Sequence, residues 1–207
     1  MFDLGGVLID WDPRHLYREL FDDPAEMERF LAEVATSAWN REQDGGRPFA
    51  EGVAVLVAEY PEHRELIEAY QDRWSDMLGG GIDGTVAILE NLHASGVPTY
   101  ALSNWSAETF PQARARFPFL DLFDGIVISG EVGLLKPDEA IFEHLAERFG
   151  FDPAEAVFVD DLPDNVATAR RLGFRAIRFT TPDDLRAELE DLGLLPPRSG
   201  VGQHRSA

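Results

Sequence analysis

The chain has 207 residues, 44% apolar and 27% charged, with a formal net charge of −20 and no cysteine. That length suits one large domain, or a core domain with a small accessory one, and so acidic a surface repels nucleic acid and anionic lipid, which excludes both as main partners. Without thiols there are no disulfides or thiolate metal sites. Any metal must be held by oxygen or by the five histidines, and oxygen ligands suit Mg²⁺.

The missing cysteines also favour the cytoplasm. No apolar run approaches the ~20 residues of a membrane span, and no signal peptide opens the sequence. Nothing in the sequence sets the oligomeric state.

In chain order, "MFDLGGVLIDW" reads as a strand entering a tight Gly-Gly turn, but only Met1 and Phe2 precede Asp3. A central parallel strand usually has about 5 residues. Either the true start lies a few codons upstream, or the first strand is short and poorly anchored. Residues 13–78 are rich in helix formers and hold no convincing strand. "PRHLYRELF", "PAEMERFLAEVATSAW", "FAEGVAVLVAEY" and "PEHRELIEAYQDRWSDML" carry apolar residues at helical spacing, giving about four helices broken by "QDGGRP" at 43–48. The aromatics Phe30, Tyr60, Tyr70 and Trp74 read as core between these helices. "WNREQDGGRPF" (39–49) reads as a solvated polar loop, with Trp39, Arg41 and Arg47 as candidate substrate contacts. "GGGIDGT" (79–85) reads as a flexible joint.

Beyond the joint, short apolar strands at 98–103, 125–129, 156–160 and 175–179 alternate with helical segments near 84–95, 106–117, 138–149, 163–172 and 182–193. Such alternation predicts an α/β fold with a doubly wound parallel sheet. The expected organisation is a core domain from 1–11 and 83–195, an inserted helical cap from 12–82, and a disordered tail from 196–207. In open parallel sheets ligands bind at the carboxyl ends of the strands. The polar residues there are Asp3, then Ser103 and Asn104, then Lys136 on the loop after the third strand, then Asp160 and Asp161. Lys136 is the only lysine in a chain with 17 arginines.

The ordered set "FDLGGVL", "ALSN", "GLLKPD" and "FVDDLPDN" resembles the four motifs of the haloacid dehalogenase superfamily, and the resemblance covers nearly the whole chain. The helical block lies where many members carry a cap. "FDLGG", "SN" and "VDDLPDN" are similar to a phosphatase branch acting on sugar phosphates such as glucose 1-phosphate. The resemblance implies Mg²⁺-dependent hydrolysis of a small phosphomonoester. Asp3 would be the nucleophile, forming an aspartyl-phosphate, and Asp3, the Gly5 backbone carbonyl and Asp161 would bind the metal. Asp160 would bind it through water or act just outside its ligands, with Asn165 as an outer partner. Ser103 and Asn104 would hold phosphoryl oxygens, and Lys136 would join Asp3 to the phosphoryl group as a compact point charge.

One position departs from the pattern. Phosphatases of the superfamily usually have a second aspartate two residues after the nucleophile, as general acid and base, and this chain has Gly5 there. Asp10, Asp12, Glu42 and Asp44 are the carboxylates that could substitute, and Asp10 and Asp12 read first as turn and cap residues before Pro13. The gap also admits a 2-haloacid dehalogenase reading at the same Asp3, because halide leaves unprotonated. Those enzymes need no Mg²⁺, and adjacent Asp160 and Asp161 beside Asp3 do call for a cation. A third alternative is a non-catalytic protein binding Mg²⁺ and a phosphorylated ligand. The five histidines lie outside all four motifs and are assigned no role.

Overall fold

The structure is a computed structural model that describes residues 1–197; most of the expected tail, 198–207, lies outside the described residues. The chain begins inside the sheet. Phe2 forms parallel bridges to both Ala101 and Val159. Its N–H donates to Tyr100 O at 2.9 Å, its carbonyl accepts from Leu102 N at 3.0 Å, and Asp3 N donates to Val159 O at 2.9 Å. The opening segment is not poorly anchored: neighbours on both sides satisfy its backbone.

A tight turn at residues 4–8 leads into β1 (Ile9–Trp11), and helices follow: α1 (Arg14–Tyr17), α2 (Pro24–Glu33), α3 (Ser37–Asp44), α4 (Phe49–Glu59) and α5 (Arg64–Asp72). The second helical stretch is two helices, because the Thr36 hydroxyl accepts from Trp39 N at 3.1 Å and starts a new one. The expected polar loop at 39–49 is therefore largely helix α3, which buries Asn40 and Gln43. Rings of Tyr17, Phe30, Trp39, Phe49 and Tyr70 fill the space between these helices, with Tyr17–Phe30 and Trp39–Tyr70 centroids each 5.0 Å apart.

The chain returns through β2 (Leu78–Gly81), antiparallel to β1. The glycine-rich joint is thus a strand, not a flexible linker. A Cβ on Gly79 would fall 2.2 Å from Asp10 Oδ2 and 2.7 Å from His15 Nε2, so a side chain there would displace the Asp10–His15 pair.

The core continues through α6 (Asp83–Ala94), β3 (Tyr100–Ser103), α7 (Phe110–Arg116), β4 (Gly125–Ile128), α8 (Ser129–Val132), α9 (Glu139–Phe149), β5 (Val157–Asp160), α10 (Pro163–Arg171), β6 (Arg175–Arg178) and α11 (Pro182–Asp191). The strands lie parallel in the order β4, β3, the Phe2 segment, β5, β6. Successive residues on a strand point to opposite faces. Leu102, Val127 and Phe158 accordingly pack with α9 and α10, while Ala101, Ile128 and Val159 join the cluster that includes α6 and α11. All the carboxyl ends therefore open on one rim, beneath the helical block.

At that rim the loops after β3 and β4 touch backbone to backbone. Gly130 N donates to Trp105 O at 3.1 Å, and a Cβ on Gly130 would meet Ala107 N at 2.6 Å and Trp105 O at 2.8 Å. Backbone cannot yield as a side chain does. Gly130→Ala is expected to cost about 1–3 kcal/mol and to lower Tm by several degrees in a melting experiment. An unchanged Tm would show that these loops are not in contact.

Candidate active site

Asp3 sits where the central segment leaves the sheet. Its Oδ1 accepts from Leu4 N at 2.7 Å and from the Ser103 hydroxyl at 2.9 Å. Its Oδ2 lies 3.0 Å from Lys136 Nζ, which lies 2.6 Å from Asp160 Oδ2. Lys136 is 1% exposed and Asp160 is fully buried. A buried ammonium is tolerable only when paired, and here it bridges two carboxylates.

The two adjacent aspartates differ. Asp160 Oδ1 accepts from Leu162 N and Asn165 Nδ2, both at 2.9 Å, and Oδ2 accepts from Lys136 and again from Asn165 at 3.0 Å. Four contacts fill the four lone-pair sites of a carboxylate. Asp161 is half-buried, and its carboxyl accepts from its own backbone N–H but from no other side chain among the described residues. Asp3, Asp160 and Asp161 each offer an oxygen within 4.8 Å of the others. The turn at Gly6, with φ +74°, brings backbone so close that a Cβ there would lie 2.9 Å from Asp161 Oδ2.

Ser103 and Asn104, expected to face phosphoryl oxygens, are engaged with the site's own residues. Ser103 holds Asp3. Asn104 clamps the Lys136 backbone, its Nδ2 donating to Lys136 O at 2.9 Å and its Oδ1 accepting from Lys136 N at 2.8 Å. Arg41, from α3, donates to the same Lys136 carbonyl at 2.6 Å. Nothing in the sequence pointed to these two contacts, because neither pair is near in the chain. Trp39 and Arg47 bond within the helical block: Trp39 Nε1 donates to Gly52 O at 3.2 Å and Arg47 Nε to Gln43 Oε1 at 2.6 Å.

Of the carboxylates weighed against the missing one at Gly5, three are occupied elsewhere. Asp10 Oδ2 lies 3.0 Å from His15 Nε2, Asp12 accepts from Arg14 N at 2.8 Å, and Glu42 pairs with Arg47. Asp44 instead lines a cavity of about 50 Å³ together with Gly5 and Asn104.

Electrostatically the cluster is short of positive charge. Burial, with help from Asp160, pushes Asp3 up to about 7 against the pull of Lys136. Burial and Asp160 also raise Asp161. Burial alone would lower Lys136, but the two carboxylates outweigh it and hold the ammonium protonated. Because Asp3 is raised from its unfolded value, its stabilising contribution is complete below that value and is lost as pH rises through the folded one. Metal-free protein should therefore melt progressively lower from about pH 4 to about pH 7, and Asp3→Asn should remove part of that slope. A variant with the wild-type slope would show that Asp3 titrates as an ordinary carboxyl.

A family model for haloacid dehalogenase-like hydrolases matches residues 1–173. The chain is 28% identical over 180 residues to the sesquiterpene phosphatase astK of Aspergillus oryzae, covering 87% of this chain and 88% of that one. It is 42% identical over 183 residues to a glyceraldehyde 3-phosphate phosphatase of Methanopyrus kandleri, covering 84% and 70%. Among solved structures, an enzyme of the same superfamily from Bacteroides thetaiotaomicron, in complex with magnesium and inorganic phosphate, superposes with a TM-score of 0.64 at 22% identity over 87% of this chain and 92% of that one. Its motifs, its sheet and these relatives agree: the chain belongs to the haloacid dehalogenase-like hydrolase family.

Proposed function

We propose that this hydrolase is a Mg²⁺-dependent phosphatase that cleaves small phosphomonoesters, such as sugar phosphates, by way of a phosphoryl group carried on Asp3. The observation behind it is the imbalance of charge: three carboxylates converge within 4.8 Å around a single buried ammonium. A hard divalent cation corrects that imbalance, and a dehalogenase has no use for one.

The residues fit such an ion. Asp3, the Gly5 carbonyl and Asp161 are the groups that would hold it. Asp160, with every lone pair occupied, fixes Lys136 instead. A Mg²⁺ held there would supply the positive charge that offsets the repulsion of a carboxylate nucleophile and an anionic phosphoryl group. Ser103 and Leu4 N orient Asp3 by its Oδ1, leaving Oδ2 as the attacking oxygen. Lys136 spends two of its three donors on Asp3 and Asp160, and the third serves a phosphoryl oxygen. Phosphatase relatives support this substrate class. The second reading, carbon–halogen hydrolysis at Asp3, is favoured only by Gly5, which leaves no carboxyl beside the nucleophile.

Hydrolysis of p-nitrophenyl phosphate should be abolished by EDTA, restored by Mg²⁺, and lost in Asp3→Asn. Chloride release from 2-chloropropionate that ignores EDTA would overturn this reading in favour of the second. Lys136→Arg keeps the charge but presents a larger, planar group with fixed bidentate geometry in a fully packed site. It is expected to lose about 100-fold or more in kcat while circular dichroism shows the fold intact. Near-wild-type kinetics in that variant would mean that charge alone suffices at position 136.

A further inference from the structure

The phosphatase reading leaves the leaving alkoxide without a proton donor, since nothing at Gly5 can supply one. The space is nevertheless there: no atom lies within 4 Å of where a Cβ on Gly5 would stand. It borders the cavity of about 50 Å³ lined by Gly5, Trp11, Asn40, Asp44, Trp74, Asn104 and Trp105. Three of the chain's four tryptophans are in that lining.

Two features mark this cavity as built for a ligand. Trp11 Nε1, Trp105 Nε1 and Asn40 Oδ1 are buried polar atoms with no hydrogen-bond partner, and Asn40 and Trp105 are more than nine-tenths buried. Buried polar atoms are ordinarily paired. Two donors and an acceptor around one small space suit a hydroxyl-bearing alkyl group. The second feature is the fixing of Asp44. Asn40 Nδ2 donates to its Oδ2 at 2.9 Å, the Ser106 N–H donates to its carboxyl, and the Ser129 hydroxyl donates to its backbone carbonyl at 2.6 Å. The C-terminal end of α3 is thereby pinned to the core loops, and the carboxyl is held in the cavity.

We infer that Asp44, contributed by the cap, is the general acid and base of the reaction, standing in for the carboxyl that Gly5 lacks. This rests on the phosphatase reading. In the first step Asp3 Oδ2 forms a bond to phosphorus while the bond to the leaving oxygen breaks, and that oxygen takes the proton of Asp44. In the second step the Asp44 carboxylate removes a proton from water as the water oxygen attacks phosphorus, which frees Asp3 and restores protonated Asp44. The ionisable groups acting on Asp44 are Arg41, Asp3 and Tyr70. Burial, opposed by the Ser106 N–H and Arg41 and assisted by Asp3, raises its carboxyl to about 7, so both protonation states are accessible at neutral pH.

The test compares glycerol 3-phosphate, whose alkoxide must be protonated, with p-nitrophenyl phosphate, whose phenolate leaves without help. In Asp44→Asn, kcat/KM should fall about 100-fold further on glycerol 3-phosphate than on p-nitrophenyl phosphate. Turnover of the aryl ester should slow at the second step, giving a burst of p-nitrophenol. Asp44→Glu should recover part of the alkyl activity. Equal losses on both esters with no burst, in a variant of unchanged Tm, would overturn the role of Asp44. So would wild-type activity on both esters kept in full by Asp44→Asn. A wild-type enzyme silent on both esters with Mg²⁺ would remove the phosphatase reading itself, and the role of Asp44 with it.

Discussion

The rim of this enzyme is organised by one ammonium group. Lys136 Nζ lies between Asp3 and Asp160 at 3.0 and 2.6 Å, wholly out of water. Desolvating an ion costs several kcal/mol before its partners are counted, so the arrangement persists only because each partner is itself fixed. Asn165 and Leu162 N hold Asp160, and Ser103 and Leu4 N hold Asp3 by its Oδ1. Removing any one of these donors leaves a buried charge less than fully paired. The lysine therefore couples four chain segments that are distant in sequence into one chemical unit.

The same residue ties the helical block to the strand-end loops. Its carbonyl accepts from Asn104 below and from Arg41 above, so α3 is held to the loop that carries the ammonium. Ser129 and Glu108 add further ties, to Asp44 O and Phe49 N. These ties hold α3 and α4 against the strand-end loops beside the buried Asp3, where charge interactions are stronger than in water. The overall charge of −20 makes this local positive charge necessary, because an anionic ester approaching so acidic a surface is repelled until it meets a cation at the site.

Much of this was legible in the sequence because parallel sheets put function at strand ends. Asp3, Ser103, Lys136, Asp160 and Asp161 were identifiable as one rim from the strand pattern alone, and the family resemblance supplied their order. What escaped depends on three-dimensional pairing. Leu78–Gly81 has the composition of a linker and becomes a strand only because Ile9–Trp11 lies beside it. Trp39–Asp44 looks like a polar loop and is a helix because Thr36 caps it and its polar residues are buried under the core loops. Asn104 was legible as a polar residue at the rim. That its amide is spent on the backbone of Lys136 follows from loop geometry, which no local pattern encodes.

The central claim is that the carboxylate held by Lys136 is the atom that takes the phosphoryl group. The most direct measurement is mass spectrometry of peptides from enzyme quenched in acid during steady-state turnover of a phosphate ester with Mg²⁺. The account predicts a phosphoryl group on Asp3, absent when EDTA is added before substrate. A phosphoryl group on another residue, or full turnover with none on Asp3 under conditions that trap the intermediate, would contradict it.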